Sequence, residues 1–174
     1  GVRLIDHVLS RLEGQAAPIA LNANGPPARF AGLGLPVLAD SIDGQPGPLA
    51  GVLAGLDWAA GLGAEHILTV AGDTPFFPRD LAARLIAASG ERGIALAASP
   101  DEGGTMRRHP TFGLWPTALR ADLRSALEGG LRKIVLWTDA HGAGTARWDS
   151  TPFDPFFNIN DAQDIARAES LTPT

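Results

Sequence analysis

Short apolar runs alternate with amphipathic segments along most of the chain. The run "HILTVA" at 66–71 shows no alternation of hydrophobic and polar residues, which is typical of a parallel strand covered on both faces. From Pro78, the segment "PRDLAARLIAAS" has a proline at the start of a helix, an acid in the first turn, and Leu81, Leu85 and Ile86 on one face. A strand, a turn and a helix in this order form the βα unit of open α/β sheets.

The same criteria predict the remaining elements. Strands are predicted at 18–24, 36–40, 93–99, 111–115 and 144–149, and helices at 46–61, 116–129 and 161–169. Residues 101–110 form a polar segment that predicts a loop. Segment 132–140 is ambiguous between strand and helix, because its β-forming residues occupy a short run. The alternation predicts a single α/β domain over residues 1–174, with a mainly parallel sheet.

Polar residues stand where several predicted strands end. Asn22, Asp40 and Asp73 each close a separate strand. Because open α/β sheets bind ligands at the carboxyl edge of their strands, we expect these side chains to meet at one rim. Asn158 and Asn160 lie two positions apart in an extended stretch and therefore face the same side. Such oxygen donors suit Mg²⁺ and nucleotide hydroxyls, although each residue alone could equally be a turn former.

Composition removes several classes of function. The chain has no cysteine, which excludes disulfides, thiolate zinc sites and cysteine nucleophiles. Its net charge of −5 argues against nucleic-acid partners and anionic membrane surfaces. No apolar run reaches the ~18 residues of a membrane span. The absence of cysteine fits a cytoplasmic protein, which is the expected location. The one lysine, Lys133, lacks the spacing of a phosphate-binding P-loop, and no GxSxG motif supports a triad hydrolase.

The chain resembles the molybdenum cofactor guanylyltransferases in six stretches that follow the family's order: "LNAN" (21–24), "VLADS" (37–41), "PGPLAGVLAGL" (46–56), "VAGDTPFFPRDLAARL" (70–85), "RHPTFGLW" (108–115) and "FFNINDAQDIARAE" (156–169). The resemblance implies a three-layer αβα nucleotidyltransferase fold, Rossmann-like and of the GT-A type. It also favours a helix for 132–140. The implied reaction moves GMP from GTP onto the terminal phosphate of molybdopterin and releases pyrophosphate.

The resemblance also implies roles for the strand-end residues. Asp73 corresponds to the family's catalytic aspartate, which binds Mg²⁺ and contacts the nucleotide. Asn22 and Asp40 correspond to nucleotide contacts at the base and ribose. Asn158 and Asn160 correspond to a catalytic asparagine pair beside the metal and the acceptor.

A second implied group would bind the acceptor. Arg108, His109, Arg132 and Lys133 correspond to positions on the acceptor side, which suits a phosphorylated pterin. The implied substrates are GTP and the molybdenum cofactor. Other cofactor-biosynthesis proteins or chaperones of apo-molybdoenzymes are the protein partners that such an enzyme would meet.

One part of the family pattern does not appear in these residues. The family begins with a strand, a glycine-rich loop and a lysine, whose backbone N–H groups and charge would hold the triphosphate. We expect these features in ~25 to 30 residues ahead of Gly1, from usual strand and loop lengths. Two alternatives stay open: a cytidylyltransferase acting on the same cofactor, and a non-catalytic domain that binds a nucleotide or a pterin.

Overall fold

A computed structural model of the chain describes residues 3–42, 47–159 and 164. The helices are α1 (Leu4–Leu12), α2 (Pro48–Gly61), α3 (Leu81–Ser89), α4 (Arg120–Glu128) and α5 (Ile134–Ala140). The strands are β1 (Leu21–Asn22), β2 (Val37–Leu38), β3 (His66–Thr69), β4 (Ala95–Pro100), β5 (Met106–Pro116) and β6 (Gly144–Arg147). The ambiguous segment 132–140 is therefore helical, and the helix expected at 161–169 falls on residues that, apart from Asp164, lie outside the described ones.

The described strands form two groups. β1 and β2 pair in parallel, and the other four strands follow the order β3–β5–β4–β6. β5 is antiparallel to both of its neighbours, whereas β4 and β6 are parallel, so three of the four strands run in one direction. A loop was predicted over residues 101–110. This was wrong for residues 106–110, because β5 begins at Met106 and Met106–His109 pairs with Ala97–Pro100. Backbone pairing there overrides the polar side chains that suggested a loop.

Helices cover both faces of the four-stranded sheet, which confirms the three-layer αβα architecture. Side chains of β4 alternate between the two faces, as pleating requires. Ala95 and Ala97 pack in a cluster with α1 and α3. Leu96 packs on the other side with α2, α4 and α5, together with the fully buried Trp115 of β5. No helix in the described part of the chain is long and apolar enough to cross a membrane.

The ladder between β4 and β5 contains a break that we call the β4–β5 offset. Leu96 pairs with Gly113, but the next residue, Ala97, pairs with His109. Residues 110–112 therefore take no place in this ladder, and Pro110 has no N–H to donate to it. Irregularities of this kind re-aim side chains beside binding sites. Here the offset sets His109 on the same face as Ser99, one diagonal position away across the ladder.

Candidate active site

Asp73 and Asn158 are held together by a buried threonine. Thr74 is fully buried. Its hydroxyl lies 2.8 Å from Asn158 Oδ1 and 3.2 Å from Asp73 Oδ1. The backbone N–H of Ile159 also donates to the carbonyl of Asp73 at 2.8 Å. The turn after β3 and the segment that contains Asn158 are thus joined by a side-chain bond and a backbone bond.

The donors at this junction fit a magnesium ion. The side chains of Asp73 and Asn158 are exposed and offer a carboxylate and an amide oxygen. Mg²⁺ is usually bound by one or two carboxylates, with substrate phosphates and water completing an octahedron. The described residues contain no cluster of three or more histidine, cysteine, aspartate or glutamate side chains able to hold a metal. A substrate-completed site is therefore the kind that these residues could form, while Asn160 lies outside the described residues.

Asn22 and Asp40 meet because β1 and β2 lie side by side. Asn22 Nδ2 donates to Asp40 Oδ1 at 3.0 Å and to the carbonyl of Leu38 at 3.1 Å. Asn24 completes the pair: its Nδ2 donates to Asp40 Oδ2 at 2.8 Å, and its Oδ1 accepts the backbone N–H of Asp40 at 3.1 Å. Both carboxylate oxygens are oriented by amide groups, which gives this acid a fixed position at the rim.

Helix α2 approaches this pair very closely at a glycine. A Cβ placed on Gly51 would overlap the Oδ1 atom of Asn22. A groove of about 390 Å³ beside it is lined by both Asn22 and Gly72, together with apolar side chains of α1, α2 and β3. Since Gly72 directly precedes Asp73, the Asn22–Asp40 pair and the Asp73 turn border one groove. Three of the predicted strand ends are therefore brought to the same part of the molecule.

A second concavity adjoins Asn158 on its other side. We call this the acceptor cleft, after two of the residues that the sequence analysis expected to bind the acceptor. It has a volume of about 930 Å³ and is formed by the end of β4, the start of β5 and residues between 150 and 158. Arg107, Arg108, His109 and Asn158 line it. Asn158 therefore belongs both to the junction with Asp73 and to the cleft.

The residues expected to bind the acceptor divide into two groups. Arg108 and His109 line the acceptor cleft, but Arg108 Nη1 lies 2.6 Å from the carboxylate of Asp139 on α5. The Arg108 guanidinium, through this hydrogen bond, lowers the pKa of Asp139 below its usual value. Arg132 and Lys133 are exposed at the start of α5 and do not line the cleft. The structure thus brings two of the four together.

His109 takes part in a network that the sequence interpretation did not include. Ser99 Oγ lies 2.6 Å from His109 Nε2 and 2.8 Å from Asp154 Oδ1. The imidazole stacks on Phe156, with 4.6 Å between ring centroids. Burial is the main cause that lowers the pKa of His109; the charge of Arg107 acts in the same direction, and the carboxylate of Asp154 opposes both.

Three residues at the site were missed. Thr74, Ser99 and Asp154 make the bonds described above but were assigned no role from sequence. Ser99 ends the apolar run "IALAAS", so the rule that selected Asp73 would also have selected it. Thr74 and Asp154 carry no comparable signal, because their importance depends on partners far away in the chain.

Comparison with known proteins identifies the family of the chain. Residues 1–142 match the family model described as a MobA-like NTP transferase domain. The molybdenum cofactor guanylyltransferase of Bradyrhizobium sp. (strain ORS 278) is 50% identical over 174 residues, which cover 98% of this chain and 81% of that protein.

Solved structures with low sequence identity share the fold. Molybdopterin-guanine dinucleotide biosynthesis protein A from Archaeoglobus fulgidus is 19% identical, with a TM-score of 0.64 over 97% of this chain and 84% of its own. The 2-C-methyl-D-erythritol 4-phosphate cytidylyltransferase from Thermus thermophilus is 23% identical, with a TM-score of 0.66 over 98% and 89%. The family match and the 50% identical relative lead to one assignment. The chain belongs to the MobA-like NTP transferase family.

Proposed function

We propose that this protein transfers GMP from GTP to the terminal phosphate of molybdopterin and releases pyrophosphate. The observation that carries the proposal is the bond network in which buried Thr74 joins Asp73 to Asn158 beside the acceptor cleft. The choice of nucleotide and acceptor follows the relative that is 50% identical and is named a molybdenum cofactor guanylyltransferase.

The reaction requires two anions to approach each other. A phosphate oxygen of the acceptor forms a bond to the α-phosphorus of GTP, and the bond from that phosphorus to the bridging oxygen breaks. Pyrophosphate departs with the electron pair of the broken bond. Because the attacking phosphate is already ionised, no side chain has to remove a proton. Positioning and charge neutralisation are therefore the main tasks of the protein.

Asp73 and Asn158 are the residues that would hold Mg²⁺. When bound, this ion polarises the α-phosphate and offsets the charge that develops on pyrophosphate. Thr74 fixes the separation of the two side chains, since its hydroxyl contacts both. Asp73 is exposed at the rim, so its carboxylate is accessible to an ion.

Asn22 and Asp40 would contact the guanosine. The Watson–Crick edge of guanine presents N–H donors, which carboxylate and amide oxygens accept. Each oxygen of Asp40 accepts one hydrogen bond from an asparagine amide, and a carboxylate oxygen has a further acceptor position. The preset orientation of this acid reduces the entropy that nucleotide binding would cost.

The acceptor cleft suits a phosphorylated heterocycle. Its volume of about 930 Å³ lies within the range of small-molecule sites. Arg107 supplies positive charge at its rim, next to Arg108, which is paired with Asp139. The His109 ring, which stacks on buried Phe156, supplies an aromatic surface. Asn158 connects this cleft with the Asp73 turn, so an acceptor phosphate bound here would face the nucleotide.

Substitution of Asp73 by alanine tests the proposal. We expect D73A to reduce magnesium-dependent transfer by more than 100-fold, because loss of a metal ligand removes several kcal/mol of transition-state stabilisation. Glu91→Gln is the matched control, since Glu91 is an exposed acid that lies in the 3-10 helix after α3. Pyrophosphate release is the assay, and circular dichroism verifies the fold. D73A activity within about tenfold of E91Q activity would contradict the assignment.

Nucleotide preference tests the guanylyl assignment. We expect GTP to bind at least ~10-fold more tightly than CTP in the presence of magnesium, a difference of about 1.4 kcal/mol that one or two polar contacts supply. Isothermal titration of the two nucleotides measures it. Equal affinities, or a preference for CTP, would refute guanylyl transfer and favour cytidylyl transfer to the same acceptor.

A further inference from the structure

The hydrogen bonds around Ser99 determine where two protons lie. The carboxylate of Asp154 can only accept, so the Ser99 hydroxyl donates to Asp154 Oδ1 across 2.8 Å. Ser99 then has no proton left for His109. The 2.6 Å contact between Ser99 Oγ and His109 Nε2 therefore requires a proton on Nε2. The same Asp154 oxygen accepts the backbone N–H of Phe156 at 3.0 Å, which holds the carboxylate in place.

The other nitrogen of the ring is left available to a ligand. A neutral imidazole with its proton on Nε2 has an unprotonated Nδ1, which accepts hydrogen bonds. No described residue makes a hydrogen bond to Nδ1, and the His109 ring lines the acceptor cleft. Burial and the nearby Arg107 lower the pKa of His109, while Asp154 opposes them. These influences together favour the neutral ring.

We propose that Ser99 is a positioning residue that presents His109 Nδ1 as a hydrogen-bond acceptor to a ring N–H group of the acceptor molecule. This inference rests on the proposed function for the identity of that molecule, a phosphorylated heterocycle. An unprotonated nitrogen repels a phosphate anion, so His109 recognises the heterocycle and leaves the phosphate to the arginines of the cleft. This assignment refines the sequence-based expectation, which grouped His109 with the cationic residues.

The geometry does not fit a serine nucleophile. Ser99 is only 1% exposed, and its proton goes to Asp154 instead of to the histidine. In a catalytic triad the acid contacts the histidine, and the histidine accepts the serine proton. Here the acid contacts the serine, and the histidine donates its proton to the serine oxygen. Ser99 therefore orients the ring and is not activated by it.

Nuclear magnetic resonance of the imidazole nitrogens tests the positioning directly. The protein is labelled with ¹⁵N-histidine, and the signals of His109 are assigned by their loss in His109→Gln. At pH 7 we expect a protonated Nε2 and an unprotonated Nδ1, and a mixture of the two tautomers in Ser99→Ala. Ser89→Ala is the matched control, because Ser89 is also buried but donates to the carbonyl of Ile86 on α3. A protonated Nδ1 in the wild-type protein would overturn the proposal.

Steady-state kinetics tests the consequence for recognition. We expect S99A to raise KM for the pterin acceptor about fivefold to tenfold, the equivalent of roughly one hydrogen bond, with KM for GTP unchanged. S89A should leave both values unchanged. Equal losses toward the two substrates, or equal losses in S99A and S89A, would mean that Ser99 only supports the fold.

The two measurements separate this inference from the proposed function. If the wild-type protein transfers no nucleotide to the pterin, the proposed function fails. The tautomer of His109 in wild-type protein and in S99A then still shows whether Ser99 holds the proton of the imidazole on Nε2.

Discussion

Replacement of Gly51 by alanine should disrupt the Asn22–Asp40 pair without disrupting helix α2. The new Cβ would overlap Asn22 Oδ1, so the amide has to leave its position. Asn22 would lose its bonds to Leu38 and Asp40, which have lengths of 3.1 and 3.0 Å. At about 0.5 to 1.5 kcal/mol each, these bonds sum to roughly 1 to 3 kcal/mol of lost stability.

An opposing gain comes from the helix itself. Alanine is favoured over glycine in a helix interior by about 1 kcal/mol. The expected net change in the free energy of unfolding is therefore a loss of roughly 0 to 2 kcal/mol. Affinity for GTP should fall by about tenfold, or 1.4 kcal/mol, because Asn22 no longer orients Asp40 at the proposed nucleotide site.

Gly61→Ala provides the matched control on the same helix. A Cβ at Gly61 meets no atom within 4 Å. G61A should bind GTP as the wild type does, with stability unchanged or increased by up to about 1 kcal/mol. Urea unfolding and isothermal titration with GTP measure the two quantities.

A double-mutant cycle identifies the cause. In an Asn22→Ala background the overlap is absent, so G51A should no longer weaken GTP binding. A G51A protein that binds GTP as tightly as G61A does would refute the argument. So would an equal effect of G51A with and without Asn22.

Two further substitutions test the network at the rim and the state of His109. Thr74→Val keeps the shape of a fully buried side chain but removes the hydroxyl that contacts Asn158. We expect about 1 kcal/mol lower stability and about tenfold slower transfer. Thr74→Ser keeps the hydroxyl and loses a buried methyl group, so we expect a similar loss of stability of about 1 kcal/mol but transfer near the wild-type rate. Because the pKa of His109 is lowered in the folded protein, the unfolded chain binds more protons as the pH falls through about 6.5, and the folded state loses stability there. The drop in urea midpoint between about pH 7.5 and 5.5 should therefore be smaller in His109→Gln, and an equal drop in both proteins would contradict a lowered pKa.

The sequence predicted most of the fold where local patterns and tertiary packing agree. Helix α3 formed close to its predicted bounds, although Ile86 of its predicted apolar face is exposed. Strand β3 formed where it was predicted, but it pairs antiparallel with β5 and none of its residues is buried. The prediction of a parallel strand covered on both faces was therefore wrong. β1 and β2 are much shorter than the apolar runs 18–24 and 36–40 predicted. Pairing depends on which neighbour is available, and hydrophobic pattern alone does not report this. β5 begins at Met106, before the predicted start at residue 111, for the same reason: the outer half of β4 is available as a pairing partner.

The sequence predicts the position of a rim residue where that residue follows directly from the end of a strand. The positions of Asn22, Asp40 and Asp73 followed from one rule about the carboxyl ends of strands. The pairing of Arg108 with Asp139 did not, since the two lie 31 residues apart and meet only after α5 packs on the sheet. Roles in catalysis and metal binding stay predictions for all of these residues.

The β4–β5 offset divides the pairing of β4 with β5 into an inner and an outer unit. The inner unit pairs Ala95 and Leu96 with β5 and is covered by helices on both faces. The outer unit, Ala97–Pro100 with Met106–His109, ends in a polar turn and borders the acceptor cleft. Ala97 and Ala98 of this unit are buried and also pair with β6, whereas Met106 and Arg107 on the β5 side are exposed. Exposed backbone with few buried contacts opens at a lower free energy than the whole domain. A ligand that contacts His109 would therefore order the β5 side of the hairpin tip, which couples the order of the tip to occupancy of the cleft.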